Sequence, residues 1–238
     1  MVGSRNARGY CLARRGLSAD ECEDAWAIDA GRIAVSDGAT ESAFPGVWAR
    51  LLVEHFTRGR DEWPGWIAQV QPRWQEAVRQ PSSPPVPWFV EQSLARGAFA
   101  TFLGVHFEEA SAEVVAVGDT CLFHVRDGLL ERSFPLEASS EFGNTPWLIG
   151  SRTSPEEVPR RHGTTCRLDL LAGDRLWLMT DALARWFLLE KEAGRRPWDA
   201  LDDLLGRPDD EWAAWIEALR DRRELRNDDT TVVSVLVG

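Results

Sequence analysis

Apolar segments that run straight into an acid are the feature that most restricts this chain. Ile33-Ala34-Val35-Ser36 leads into Asp37-Gly38, and Leu176-Trp177-Leu178-Met179-Thr180 leads into Asp181. A carboxylate at the end of a buried strand costs several kcal/mol to desolvate unless a cation or several donors compensate it. A single Asp-Gly step is ordinary turn chemistry. Recurrence weakens that account. Gly118-Asp119 follows the apolar run 112–117, Glu23-Asp24 open the segment before Ile33, and Asp228 precedes the β-branched run Thr230–Val237. The chain is therefore expected to be strand-rich, with several strand ends that carry acids.

Residues 7–14 read as a first strand. Residues 22–28 read as a second, opened by Glu23 and Asp24 and joined through 29–32 to Ile33. Antiparallel pairing across so short a turn brings Glu23 and Asp24 close to Asp37. Three carboxylates gathered this way repel one another, and a divalent cation neutralises them. Over 42–58, Phe44, Val47, Trp48, Leu51, Leu52, His55 and Phe56 recur at helical spacing, with Thr40 or Ser42 as the cap. A second helix over 63–79 is expected to break at Pro72. Residues 80–88 hold four prolines and read as a surface loop. A short helix over 88–96 leads into a β meander of 98–107, 112–117, 121–126 and 129–133. The unpatterned stretch 134–163 is expected to be a functional flap or a flexible excursion. Strands over 164–171 and 175–179, helices over 182–193, 198–205 and 209–222, and a terminal strand over 230–237 complete the chain.

At 238 residues, with 44% hydrophobic and 27% charged residues, the chain suits one domain spanning 1–238. A formal net charge of −11 argues against nucleic acid or an anionic membrane as partner. No charged-then-apolar leader or long apolar run is visible, and the four cysteines form no C-x-x-C. These features lead to the expectation of a cytoplasmic protein with reduced thiols. The four histidines show no zinc-ligand spacing. A ligand set made only of oxygens favours Mg²⁺ or Mn²⁺.

The ordered set Glu23-Asp24-Ala25, Ser36-Asp37-Gly38, Val117-Gly118-Asp119-Thr120, Thr180-Asp181 and Asp228-Asp229-Thr230-Thr231-Val232-Val233 resembles the metal-dependent serine/threonine phosphatases of type 2C. The resemblance spans about Cys11 to Val237. It implies an α+β fold, a four-layer α-β-β-α sandwich of two antiparallel sheets flanked by helices. It implies Asp37 as the ligand shared by two Mn²⁺ or Mg²⁺ ions, Gly38 as a carbonyl ligand, Glu23 as a direct ligand and Asp24 as ligand or neighbour. Asp181 and Asp228 would complete the other site, so that Asp37, Asp181 and Asp228 carry catalysis. Asp119 matches an acid tied to a third, weaker metal. A metal-bridging water would attack phosphorus in line, on a phosphorylated protein substrate, in signalling opposite a kinase partner. Residues 134–163 fall at the family's substrate-touching flap.

Three positions depart from the family. Ala19 stands where a phosphate-binding arginine is usual, leaving Arg14, Arg15, Arg160 and Arg161 as substitutes. Ala182 stands where glycine is usual, and Arg185 stands where an acid would help the third metal. The departures keep a second reading open, a non-catalytic phosphatase-like module that binds a partner.

Overall fold

Alternation along the strands decides the layering. The computed structural model describes residues 5–29, 31–59, 63–79, 88–143, 145–155 and 157–238. Ala30, Asn144 and most of the Pro-rich loop (80–87) lie outside the described residues. The strands are β1 (Arg5–Leu12), β2 (Ala25–Asp29), β3 (Arg32–Ser36), β4 (Phe99–Ala100), β5 (Phe102–Phe107), β6 (Ser111–Val117), β7 (Cys121–Arg126), β8 (Leu129–Phe134), β9 (Ile149–Gly150), β10 (Thr164–Asp169), β11 (Arg175–Met179) and β12 (Thr230–Val237). One antiparallel sheet has the order β1-β12-β11-β7-β8 and a second has β10-β6-β5-β3-β2. The short pair β4-β9 stands apart.

Every second residue of these strands enters the space between the sheets. Ile33 and Val35, Leu103 and Val105, Leu176 and Leu178, and Val233 and Val235 form that middle core. The intervening residues face outward and need a second cover, as expected for strands of period two. Phe123, Trp177 and Met179 receive Leu183 and Phe187 of α5 (Asp181–Glu192), with Trp198 of α6 (Pro197–Leu204) and Ile216 of α7 (Asp209–Asp221) beside them. On the other side, Ala25 and Ala34 receive Trp48 and Leu52 of α1 (Pro45–Arg58). Ile67, Val70 and Trp74 of α2 (Ile67–Ala77) extend that layer, and α3 (Trp88–Arg96) leads into β4. Each large side chain buried this way contributes roughly 1.5–3 kcal/mol. The four-layer α-β-β-α sandwich is thus the observed architecture. Among the described residues no helix is long and apolar enough to cross a membrane.

Several local expectations are corrected. The meander does not exist as one sheet: β5-β6 and β7-β8 are hairpins of different sheets, and the chain crosses between them at Gly118–Thr120. The strand expected over 98–107 is interrupted at Thr101, whose hydroxyl serves the neighbouring loops instead of a ladder. Helix α2 runs through Pro72. The buried Trp66, Ile67, Val70 and Trp74 hold it against α1, which outweighs one missing backbone hydrogen bond. Helix α1 begins at Pro45, behind Phe44 in the left-handed region (φ 52°), with no side-chain cap from Thr40 or Ser42. The stretch 134–163 is partly ordered, with a 3₁₀ turn (Ser139–Glu141), β9 and a short α4 (Glu157–His162). Ile149 and Gly150 are fastened down, because their carbonyls accept Trp48 Nε1–H (2.9 Å) and Gln71 Nε2–H (3.0 Å).

Candidate metal centre

Strand register delivers the acids. The β2-β3 pairing sets Ala25 opposite Ser36, so Asp24, one residue before β2, lies beside Asp37, one residue after β3. The backbone of Asp37 is locked by Thr101. Its N–H donates to Thr101 Oγ1 (3.1 Å), and its carbonyl accepts Thr101 N–H (2.8 Å). Gly38 approaches so closely that a Cβ there would lie 2.7 Å from the Glu23 carbonyl oxygen and 2.8 Å from the Pro45 carbonyl carbon. Only glycine fits that approach. Asp119 follows Gly118, whose φ of 93° makes the sharp exit from β6. Asp181 sits in the first turn of α5, at the positive end of the helix. Thr180 stitches these pieces together: its hydroxyl donates to Asp24 Oδ2 (2.9 Å) and accepts Thr231 N–H (2.9 Å).

Three of the acids meet around a cavity of about 560 Å³ lined by Asp37, Asp119, Asp181, Thr40, Arg96 and Arg226, with Gly143, Thr145, Pro146 and Leu148 of the expected flap beside them. Burial, then the charges of Asp181, Asp119 and Asp228, push the Asp37 carboxyl well above its ordinary range. Burial and Asp37 do the same to Asp24. Burial and Asp181 raise Asp119 to about 7. Asp181 is raised by burial despite the nearby Arg226 guanidinium. Glu23 is raised by burial, partly offset by the hydrogen bond from Thr40. These are carboxylates short of positive charge. Asp24 Oδ1 and Asp181 Oδ1 are buried with no hydrogen-bond partner, which is costly unless a cation joins them.

One cation already lies there. Arg226 pairs with Asp181 Oδ2 and, at 2.8 Å, with Asp228 Oδ2. Among the described residues no three His, Cys, Asp or Glu side chains converge into a preassembled metal cage. Mutual repulsion and the inserted guanidinium account for that spacing. Of the acids singled out from sequence, Asp37, Asp119 and Asp181 line the cavity. Outside the lining, Asp24 feels the charge of Asp37, Asp37 feels that of Asp228, and Glu23 hands its carbonyl to Gly38 N–H (3.2 Å).

Of the arginines offered in place of Ala19, Arg14 reaches the acid loops. Its Nη1 donates to Thr40 Oγ1 (2.8 Å) and lies 3.6 Å from Glu23 Oε2. Arg15 is held by Glu217 and Asp221 of α7. Arg160 and Arg161 lie on α4, away from the cavity lining. Arg185 lines a neighbouring hollow with Glu224 and Arg226. Sequence reasoning missed four residues. Arg226 and Arg96 face the cavity but belong to no motif. Asp229, visible only as the second acid of an Asp-Asp pair, accepts Arg14 N–H (2.7 Å) and Glu23 N–H (2.8 Å) and so fixes both ends of the loop between them. The buried Arg220 donates to the Asp228 carbonyl (2.5 Å) and fixes its backbone.

Solved structures share this architecture over the whole chain. The catalytic domain of serine/threonine protein phosphatase PstP, in complex with two manganese ions, is 19% identical, with 98% of this chain and 99% of that one covered and a TM-score of 0.60. This is the fold of the type 2C serine/threonine phosphatases. Stp1 of Staphylococcus aureus, a serine/threonine phosphatase, is 14% identical, with 100% and 97% covered and a TM-score of 0.64. PppA of Pseudomonas aeruginosa, a regulatory component of the type VI secretion system, is 20% identical, with 100% and 99% covered and a TM-score of 0.60. No family model and no curated protein matches the sequence. The phosphatase fold is therefore recognised through its layers and loops.

Proposed function

We propose that the chain is a metal-dependent phosphoprotein phosphatase acting on phosphoserine or phosphothreonine, with residues 1–238 as one catalytic domain. The observation that carries this reading is the meeting of strand-end acids around one cavity, with two buried carboxylate oxygens left unpartnered. The donor set fits a pair of hard divalent cations, Mn²⁺ or Mg²⁺. Asp37 would be the ligand common to both ions, Asp181 and Asp228 would hold one, and Glu23, Asp24 and the Gly38 carbonyl would hold the other. Such a pair supplies a hydroxide at neutral pH and a clamp on phosphoryl oxygens. The third site, at Asp119, is weak in this chain because Arg185 stands where the type 2C pattern has a further acid.

The protein's own residues do the remaining work. Thr101 and Gly38 hold Asp37 in one orientation. Thr180 fixes Asp24 against the start of β12. Arg14, bonded to Thr40 at the cavity's edge, and Arg96, on the cavity lining, bring positive charge for an incoming phosphate and take over the task that Ala19 cannot perform. Arg226 must leave Asp181 and Asp228 before a divalent cation can take its place. The partner in this reading is a phosphorylated protein, opposite the kinase that modifies it, in the cytoplasm.

The test is p-nitrophenyl phosphate hydrolysis with and without millimolar Mn²⁺. The expected result is metal-dependent turnover that is absent in Asp37→Asn. A second reading, a phosphatase-like module that binds without turnover, is favoured by Arg226 lying across two of the acids and by Ala19. Mn²⁺ binding in calorimetry with no turnover of the aryl phosphate or of a phosphopeptide would select it.

A further inference from the structure

Cys11 lies near the end of β1, and Cys22 follows the short 3₁₀ turn Ala19–Glu21. Their Sγ atoms stand 2.9 Å apart although the residues belong to different segments. Both are free thiols; Cys11 is exposed and Cys22 buried. We propose that Cys11 and Cys22 form a hydroperoxide-reactive dithiol that closes to a disulfide beside the acid cluster. The proposal does not depend on the reaction assigned to that cluster.

Geometry supports it in three ways. A disulfide needs an Sγ–Sγ distance of about 2.05 Å, so the sulfurs need to close by only about 0.9 Å from their present separation. The backbone around them is already pinned, because Asp229 holds the N–H of Arg14 and of Glu23. Exposure assigns the roles: Cys11 meets the oxidant, and Cys22 waits behind it. The other two cysteines are less open to solvent than Cys11: Cys121 is buried and Cys166 half-buried.

The step balances as follows. The Cys11 thiolate attacks one oxygen of a hydroperoxide, the O–O bond breaks, and the departing alkoxide or hydroxide takes up the thiol proton. Cys11 becomes a sulfenic acid. Cys22 sulfur then attacks Cys11 sulfur, the S–O bond breaks, and hydroxide leaves with the Cys22 proton as water. Two thiols are oxidised and one hydroperoxide is reduced. The new bond closes segment 11–22, which carries Arg14, and ties β1 to the loop that delivers Glu23 and Asp24.

The test treats the full chain with hydrogen peroxide, quenches, denatures, alkylates, and maps peptides without reduction. Two of the four thiols are expected to disappear into one Cys11–Cys22 linked peptide, restored by dithiothreitol, with Cys11 consumed at least about tenfold faster than Cys166. Cys11→Ser is expected to abolish the link. Cys22→Ser is expected to leave a Cys11 sulfenic acid that dimedone traps. Cys11 found as sulfinate with Cys22 still alkylated, a dimer linked through Cys11, or four intact thiols after treatment would each overturn the proposal.

Discussion

Strand β11 has an acid at each end, and the two ends behave oppositely. Asp174 precedes it and is fully buried. Arg126 from β7 grips both its oxygens (2.8 and 2.7 Å), Leu171 N–H donates at 2.9 Å, and His124 Nε2 lies 2.9 Å away. Burial alone would raise this carboxyl, but those partners outweigh it and hold it at about 2. Asp181, beyond the other end, has one guanidinium on one oxygen and none on the other, faces further acids, and is raised. An acid at a strand end is therefore not in itself a site. The satisfied one is part of the fold, and the unsatisfied one is left for a cation.

The strongest way to break that comparison is to neutralise one acid of each kind. Asp37→Asn is expected to reduce metal-dependent phosphatase activity at least about a thousandfold and to abolish Mn²⁺ binding, while melting in chelator stays at or above wild type because repulsion is relieved. Wild-type Mn²⁺ binding in calorimetry would show that Asp37 is no ligand. Asp174→Asn is expected to do the reverse. It should cost about 3 kcal/mol of stability in urea denaturation, since Arg126 loses its buried counter-charge, and leave Mn²⁺ affinity unchanged.

Acid titration sharpens the contrast, because the two kinds of acid carry opposite signs. Asp174 is held at about 2, below the roughly 3.9 of an unfolded chain. Its contribution, about 2–3 kcal/mol, is complete above about pH 4 and is lost as pH falls toward 2. Asp119 is raised to about 7, so in metal-free protein the stability linked to it is present below about pH 4 and is lost as pH rises through 7. Melting temperature in chelator is expected to rise as pH drops from 8 to 5, less so in Asp119→Asn. A flat profile in wild type would remove the argument that these acids lack positive charge.

The smallest effect concerns the arginines. Arg226 is half-exposed, so Arg226→Gln is expected to cost under about 1 kcal/mol of metal-free stability. It is also expected to tighten Mn²⁺ binding up to about tenfold by removing a competing cation. Equal Mn²⁺ affinity in wild type and variant would show that the guanidinium does not compete.

Much of the fold was legible. The β-branched run Thr230–Val237 coincides with β12, and the apolar runs that end at Asp37 and Asp181 coincide with β3 and β11. The acids were legible too, because an apolar run stopping at a carboxylate is costly wherever it occurs. What resisted reading was long-range. Thr101 leaves its strand for a partner that exists only once β3 has ended beside it. Pro72 remains helical because α1 packs against α2. Arg226 and Arg96 lie in loops or helix ends with no pattern, and Cys11 and Cys22 meet only when β1 has paired with β12.

Two Gly-Asp steps show where the boundary lies. Gly118-Asp119 and Gly173-Asp174 are alike in sequence, and both glycines take φ of 93°. The sequence by itself determined that each would be a tight turn carrying a carboxylate next to a buried strand, since only glycine adopts that conformation at no steric cost. Tertiary structure alone decided that Arg126 would reach the second turn and that Asp181 would face the first. The local chain sets backbone conformation, whereas the charge a carboxylate meets comes from residues brought close by sheet packing.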